Sequence, residues 1–162
     1  MRLALVAVGR LKRGPERDLA EGYRARADAL ARGLGLSAVQ LTELPESRAR
    51  RAPDRCAEEG AAILACLPAG SAVIVMDEGG RAVTSAGLAE QVAAWRDGGR
   101  PGLTIVIGGA DGLCESVRHR ADLVFAFGAA TLPHGLVRVL VLEQLYRVMT
   151  ILAGHPYHRG AP

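Results

Sequence analysis

Uninterrupted apolar runs recur along this chain, and each is followed by a stretch with helical periodicity. The runs are residues 3–8, 72–76, 103–107 and 122–127, with a weaker one at 36–44. A strand with one wet face alternates apolar and polar residues, whereas a run without alternation is buried on both sides. Such strands need helices above and below them, and the intervening segments supply these. Helices are expected over Pro15–Ala31, 53–67, 84–97, 112–120 and 135–153. Pro15 and Pro53 suit first helical positions. Thr84 or Ser85 can cap the third helix, and Gly98 with Gly99 can stop it. The chain is therefore predicted to be α/β, with a mainly parallel sheet covered by helices on both faces.

With 162 residues, of which 49% are hydrophobic and 23% charged, the chain fits one domain, residues 1–162, able to bury its own core. No repeat or linker divides it. Little length remains for a separate recognition domain, so one fold, or two copies of it, must hold both chemistry and recognition.

The net charge is +3, from 20 basic and 17 acidic residues. All the basic residues but Lys12 are Arg, which forks onto phosphates and stacks on bases. The excess lies in residues 1–60, where Arg48, Arg50 and Arg51 crowd one polar loop. This charge permits nucleic-acid binding without demanding it. Cys56, Cys66 and Cys114 form no C-x-x-C pair, which argues against a disulfide framework or zinc site and for a reducing compartment. The apolar start ends at Gly9, and Arg10, Lys12 and Arg13 follow without a small-residue cleavage site. No uncharged run is long enough to cross a bilayer. A cytoplasmic location is expected, with no membrane association.

Three features point to chemistry. The first is the strand–glycine–helix junction IVIGGADG at residues 105–112. Glycines let backbone approach a ligand closely, though two glycines after a strand also make an ordinary tight turn. Ile107 breaks a G-x-G-x-x-G dinucleotide fingerprint, which weakens an oxidoreductase reading. With Lys12 as the only lysine, a Walker-type phosphate loop is excluded.

The second feature is FGAATLPHGLVRVLVLEQLYR, residues 127–147. Its small residues follow a strand end, where open α/β sheets place ligands. On the ensuing helix, Val139, Val141, Leu142, Leu145, Tyr146, Val148, Met149 and Leu152 all lie within about 100° of Arg138. A guanidinium in the middle of an apolar face needs a partner, either an internal carboxylate or a substrate oxygen. The wide apolar arc also suggests a subunit interface. The third feature is the tail, HPYHR at residues 155–159, whose aromatic, His and Arg side chains suit an unpaired base and its phosphate. His155 and His158 lack a nearby third ligand, so no metal is expected.

The blocks LALVAVGRLK, VIVMDEGG, IVIGGADGL, TLPHGLVRVLVLEQLYR and GHPYHRG occur in that order. They resemble the RlmH (YbeA-like) family of ribosomal RNA methyltransferases, within the SPOUT superfamily, over essentially the whole chain. The resemblance implies an α/β knot with a C-terminal trefoil, and a homodimer with active sites at its interface. It also implies methyl transfer from S-adenosyl-L-methionine to N3 of a pseudouridine in helix 69 of 23S rRNA, on the large subunit or the assembled ribosome. The cofactor pocket would involve Met76, Gly108, Gly109, Phe127, Gly128, Ala129, Ala130, Thr131 and Leu132. Arg138, Tyr146, His158 and Arg159 would serve catalysis. His134, His155, Tyr157, His158 and Arg159 would meet RNA. Ala110-Asp111 replaces the family's usual Pro-Glu, and Met76 stands where Leu is commoner. For mechanism, Arg138 or Arg159 would stabilise an imide anion, and His158 or His134 would relay its proton. A non-catalytic ribosome-binding factor using the same surface is the alternative.

Overall fold

A computed structural model describes residues 1–157. Five strands alternate with helices: β1 (Arg2–Val8), α1 (Pro15–Ala31), β2 (Val39–Leu44), α2 (Ala52–Ala65), β3 (Ala72–Ala82), α3 (Ser85–Asp97), β4 (Gly102–Ile107), α4 (Glu115–Arg120), β5 (Leu123–Ala126) and α5 (His134–Leu152). The strands form one sheet in the order β2-β1-β4-β3-β5, and every pairing is parallel. The expected α/β class with helices on both faces is the fold observed.

The apolar runs split cleanly between the two faces. Leu5 pairs with Ile105, and Ile74 pairs with Ile105 and Leu123. This row faces α1, α3 and α5 in the larger core. One residue along, Val6, Val106 and Val75 face α2 and α4 in a smaller core with Ile63 and Val117. Period-two geometry thus gives both faces apolar cover, as an all-parallel sheet requires.

Where element bounds differ from the pattern, local contacts explain it. β2 begins at Val39 because Leu36 belongs to the end of α1, its amide bonded to the Ala31 carbonyl past left-handed Gly35. β3 runs on to Ala82 because residues 77–80 loop out while Arg81 and Ala82 return to pair with Phe125 and Ala126. Gly80 permits this: a Cβ there would sit 2.8 Å from the Phe125 backbone. Thr84 does cap α3, accepting from the Gly87 amide at 3.1 Å. The wide apolar arc of α5 is largely used within the chain, since the sheet lies beneath it and α1 and α3 pack alongside. Leu136 and Leu19 remain exposed on α5 and α1. Among the described residues, no helix is long and apolar enough to cross a membrane.

Candidate active site

A cleft of about 730 Å³ opens at the carboxyl ends of the central strands. Open parallel sheets bind ligands there, because the strand ends leave backbone groups and loops facing a common space. Its floor follows from register: Ile107, Met76 and Phe125 form one row across β4, β3 and β5. Of the residues assigned to a cofactor pocket, Met76, Gly108, Gly109, Phe127, Ala130, Thr131 and Leu132 line the cleft. Gly128 and Ala129 sit exposed in the same loop without lining it. His134, at the start of α5, lines the rim.

One wall is the glycine loop after β4. Gly109 and Gly112 bridge, with the Gly112 amide donating to the Gly109 carbonyl at 3.1 Å, and Gly112 takes φ +80°. A Cβ on Gly108 would sit 2.9 Å from Leu113, and one on Gly109 would sit 2.6 Å from Glu59 Oε2. Bare backbone is the lining this packing allows. The loop is also held from outside. Arg55 on α2 forks onto Asp111, Nε to Oδ2 at 2.6 Å and Nη2 to Oδ1 at 2.8 Å. That hydrogen bond holds the Asp111 carboxyl below its ordinary range and raises the Arg55 guanidinium. Cys56 Sγ donates to the Asp111 carbonyl at 3.3 Å, and burial pushes its thiol up.

The opposite wall is made by the excursion of β3 and the loop before α5. Thr131 Oγ1 donates to Glu78 Oε2 at 2.7 Å, tying the two together. Asp77 accepts from the Gly79 amide at 2.9 Å and pairs with Arg118 at 2.7 Å. Asp77, Glu78, Asp111 and Arg118 all line the cleft and were absent from the sequence assignment. Their signal was the acidic pair closing the third apolar run, which by itself reads as a polar turn.

Arg138 is 1% exposed. Its guanidinium donates to Glu43 Oε1 at 2.6 Å, to the Val8 carbonyl at 2.9 Å and to the Gly9 carbonyl at 2.5 Å. Glu43 Oε1 also accepts from the Leu11 amide at 2.8 Å. Of the two partners open to Arg138, the internal carboxylate is the one observed. Through it, α5 is fastened to the ends of β1 and β2. A Cβ on Gly9 would lie 3.4 Å from His134 Cε1, so this knot of contacts adjoins the cleft rim.

The tail gathers elsewhere. Tyr157 packs on Tyr146 with ring centroids 4.8 Å apart, and Tyr146 meets Tyr23 of α1 at 6.3 Å. Arg147 lies over the Tyr157 ring at 5.0 Å and bonds Glu143 at 2.6 Å. Burial and the neighbouring Glu143 raise the Tyr157 phenol. The His155 amide donates to the Thr150 carbonyl at 2.9 Å, and its ring accepts from the Tyr157 amide. His158 and Arg159 lie outside the described residues. Tyr146 stands twelve positions beyond His134 on one helix, which is about 18 Å at 1.5 Å per residue. Within one chain, the assigned cofactor residues and the pair Tyr146–Tyr157 are therefore not brought together.

Over residues 1–158 the chain matches the family model described as "Predicted SPOUT methyltransferase". It is 87% identical to the "Ribosomal RNA large subunit methyltransferase H" of Methylobacterium nodulans, over 100% of both chains. It is 68% identical to the protein of the same name from Methylorubrum populi, over 100% of this chain and 99% of that one. Among solved structures, the SpoU methyltransferase AviRb from Streptomyces viridochromogenes, in complex with AdoMet, is 16% identical with a TM-score of 0.41. That alignment covers 90% of this chain and 57% of AviRb. A match through residue 158, and relatives aligned end to end, lead to one conclusion: the chain belongs to the SPOUT methyltransferase family.

Proposed function

We propose that this chain methylates large-subunit ribosomal RNA, using S-adenosyl-L-methionine, at N3 of a pseudouridine in helix 69 of 23S rRNA on the assembled ribosome. The observation that carries the reading is the cleft: bare glycine backbone on one wall, apolar floor, carboxylates opposite. Those residues fit the cofactor. The volume lies in the usual range for such ligands, roughly 300–1,000 Å³. Met76, Ile107 and Phe125 offer apolar surface to an adenine. Asp77 and Glu78 offer negative charge to a sulfonium and an ammonium group. When bound, the cofactor supplies an electrophilic methyl group.

The chain's own residues then have three tasks. Gly108 and Gly109 position through their backbone, because alignment alone can remove several kcal/mol from a two-reactant barrier. Thr131 with Glu78, and Arg55 with Asp111, hold the two walls at a fixed spacing. A cation must steady the N3 anion, and a base must take its proton. Both terminal nitrogens of Arg138 are already held by Glu43 and the Val8 and Gly9 carbonyls, so in this reading it positions the His134 end of α5. Arg159 is then the cation, and His158 or His134 relays the proton.

Tyr146, on which Tyr157 packs, stands about 18 Å along α5 from His134 at the cleft rim. We infer that two copies form a homodimer in which each tail completes the partner's cleft. The reading takes residues 1–162 as one cytoplasmic domain, knotted at its C-terminal end. No metal enters it.

The test is mass spectrometry of ribosomes incubated with the protein and labelled cofactor, with free 23S rRNA alongside. A single labelled pseudouridine in helix 69 is expected, with ribosomes preferred. Label elsewhere in the rRNA would overturn the site. Calorimetry on the folded protein separates the enzyme from a non-catalytic ribosome-binding factor, since the factor would show no heat with S-adenosyl-L-methionine.

A further inference from the structure

Six cations stand on two neighbouring loops at the carboxyl edge of β1 and β2. Arg10, Lys12 and Arg13 follow β1, and Arg48, Arg50 and Arg51 follow β2. All six are exposed, and none has an ion-pair partner among the described residues. Two acids of the same segment are engaged: Glu58 accepts from Ser47 Oγ, and Glu59 accepts from the Ser47 amide at 2.9 Å. Glu46 is exposed beside Gly9, which leaves the six cations in excess over the free acid between the loops.

The second loop is built rather than loose. Arg55 Nη1 donates to the Ala49 and Arg50 carbonyls, each at 3.1 Å, while the same guanidinium forks onto Asp111 of the cleft wall. The Ala49 amide donates to Ser47 Oγ at 3.1 Å. One side chain thus joins the arginine loop to the glycine loop. The first loop is fastened by Arg138 and by the Gly9 amide, which donates to the Leu44 carbonyl at 2.8 Å. It approaches the cleft at His134.

We propose that these two loops form a phosphate-gripping rim for the substrate RNA, seating the backbone while the target base enters the cleft. The proposal rests on the methyltransferase reading above and names residues it leaves unassigned. Unpaired arginines on a pre-fixed loop suit phosphate oxygens, because the guanidinium forks and little ordering is needed on binding. The rim also meets the cleft at two separate points, Asp111 and His134, so a backbone gripped there passes the cleft mouth.

Charge-driven RNA binding weakens linearly on a log–log salt plot, with a slope near −0.7 to −0.9 per phosphate contact. The test compares ribosome binding across salt for wild type and for two rim variants. One carries Arg48→Gln, Arg50→Gln and Arg51→Gln; the other carries Arg10→Gln, Lys12→Gln and Arg13→Gln. A control carries Arg2→Gln, Arg24→Gln and Arg32→Gln, removing equal charge from elsewhere on the chain. Each rim variant is expected to flatten the slope by about 2–3 and to raise KM for ribosomes about tenfold or more. Its kcat and its affinity for S-adenosyl-L-methionine stay near wild type. The control keeps the wild-type slope. Unchanged slopes in both rim variants, or an equal loss in the control, would overturn the rim. A wild type that binds ribosomes through the rim yet transfers no methyl group would overturn the methyltransferase reading and leave the rim standing.

Discussion

Arg138 shows how one residue can carry a structural load that looks like a catalytic one. Its position in an apolar helix face was legible from periodicity, since Val139, Leu142, Leu145 and Met149 surround it. Its partner was not, because Glu43 is far off in sequence and meets it only once β2 and α5 share a face of the sheet. Removing one member of a buried ion pair strands the other, at roughly 3–5 kcal/mol. Arg138→Met should therefore lower unfolding free energy by about that much in urea denaturation. A loss below about 1 kcal/mol would mean the contacts are incidental. The Asp111–Arg55 pair makes a second prediction at this scale. Because Asp111 has a depressed pKa, its contribution is present above the unfolded value and is lost as pH falls through the folded one. The Asp111 carboxyl should titrate below the usual value of about 3.9 in NMR, and return toward it in Arg55→Gln.

At the scale of elements, two glycine substitutions should act with opposite sign. Gly22 lies inside α1, and a Cβ there would meet nothing within 4 Å. Gly22→Ala should stabilise by about 0.5–1 kcal/mol, because alanine loses less backbone entropy in a helix. Gly80 lies where β3 returns to β5, and a Cβ would strike main chain at 2.8 Å. Gly80→Ala should destabilise by about 1–3 kcal/mol and weaken cofactor binding, by prying Glu78 from Thr131. Thermal melts of both variants and calorimetry of the second check the pair. The same contrast explains what could be read from the chain. Runs such as Val73, Ile74 and Val75 announce a strand because both neighbours and both faces are apolar. Residues 77–82 are polar and glycine-rich, so their continued extension was hidden; it depends on β5 arriving alongside. The glycine loop was legible as a ligand candidate, but its Arg55 brace was not, because that contact joins the ends of two distant elements.

For the whole molecule, the separation of cleft and tail along α5 makes the proposed dimer testable by complementation. Dimers carrying Gly109→Ala have a displaced glycine loop and so a defective cleft: the added Cβ would press on buried Glu59 at 2.6 Å. Dimers carrying Arg159→Ala lack the proposed cation. After subunit exchange, half the dimers are mixed, and each mixed dimer has one intact shared site. Activity should recover to roughly a quarter of wild type, whereas sites built within one chain would recover none.

The strand order has a consequence of another kind, for the synthesis of this protein on the ribosome. β1 leaves the exit tunnel early, and β2 soon covers one of its edges. Its other partner is β4, whose Gly102 pairs with Arg2. At synthesis rates of roughly 5–20 residues per second, that edge waits for about 5–20 seconds. During that interval the nascent chain presents a bare, apolar strand edge, the kind that pairs promiscuously. The centre of the sheet closes only when β4 arrives, with the edge strand β5 still to follow, so newly made chains should depend on chaperones most just before β4 emerges.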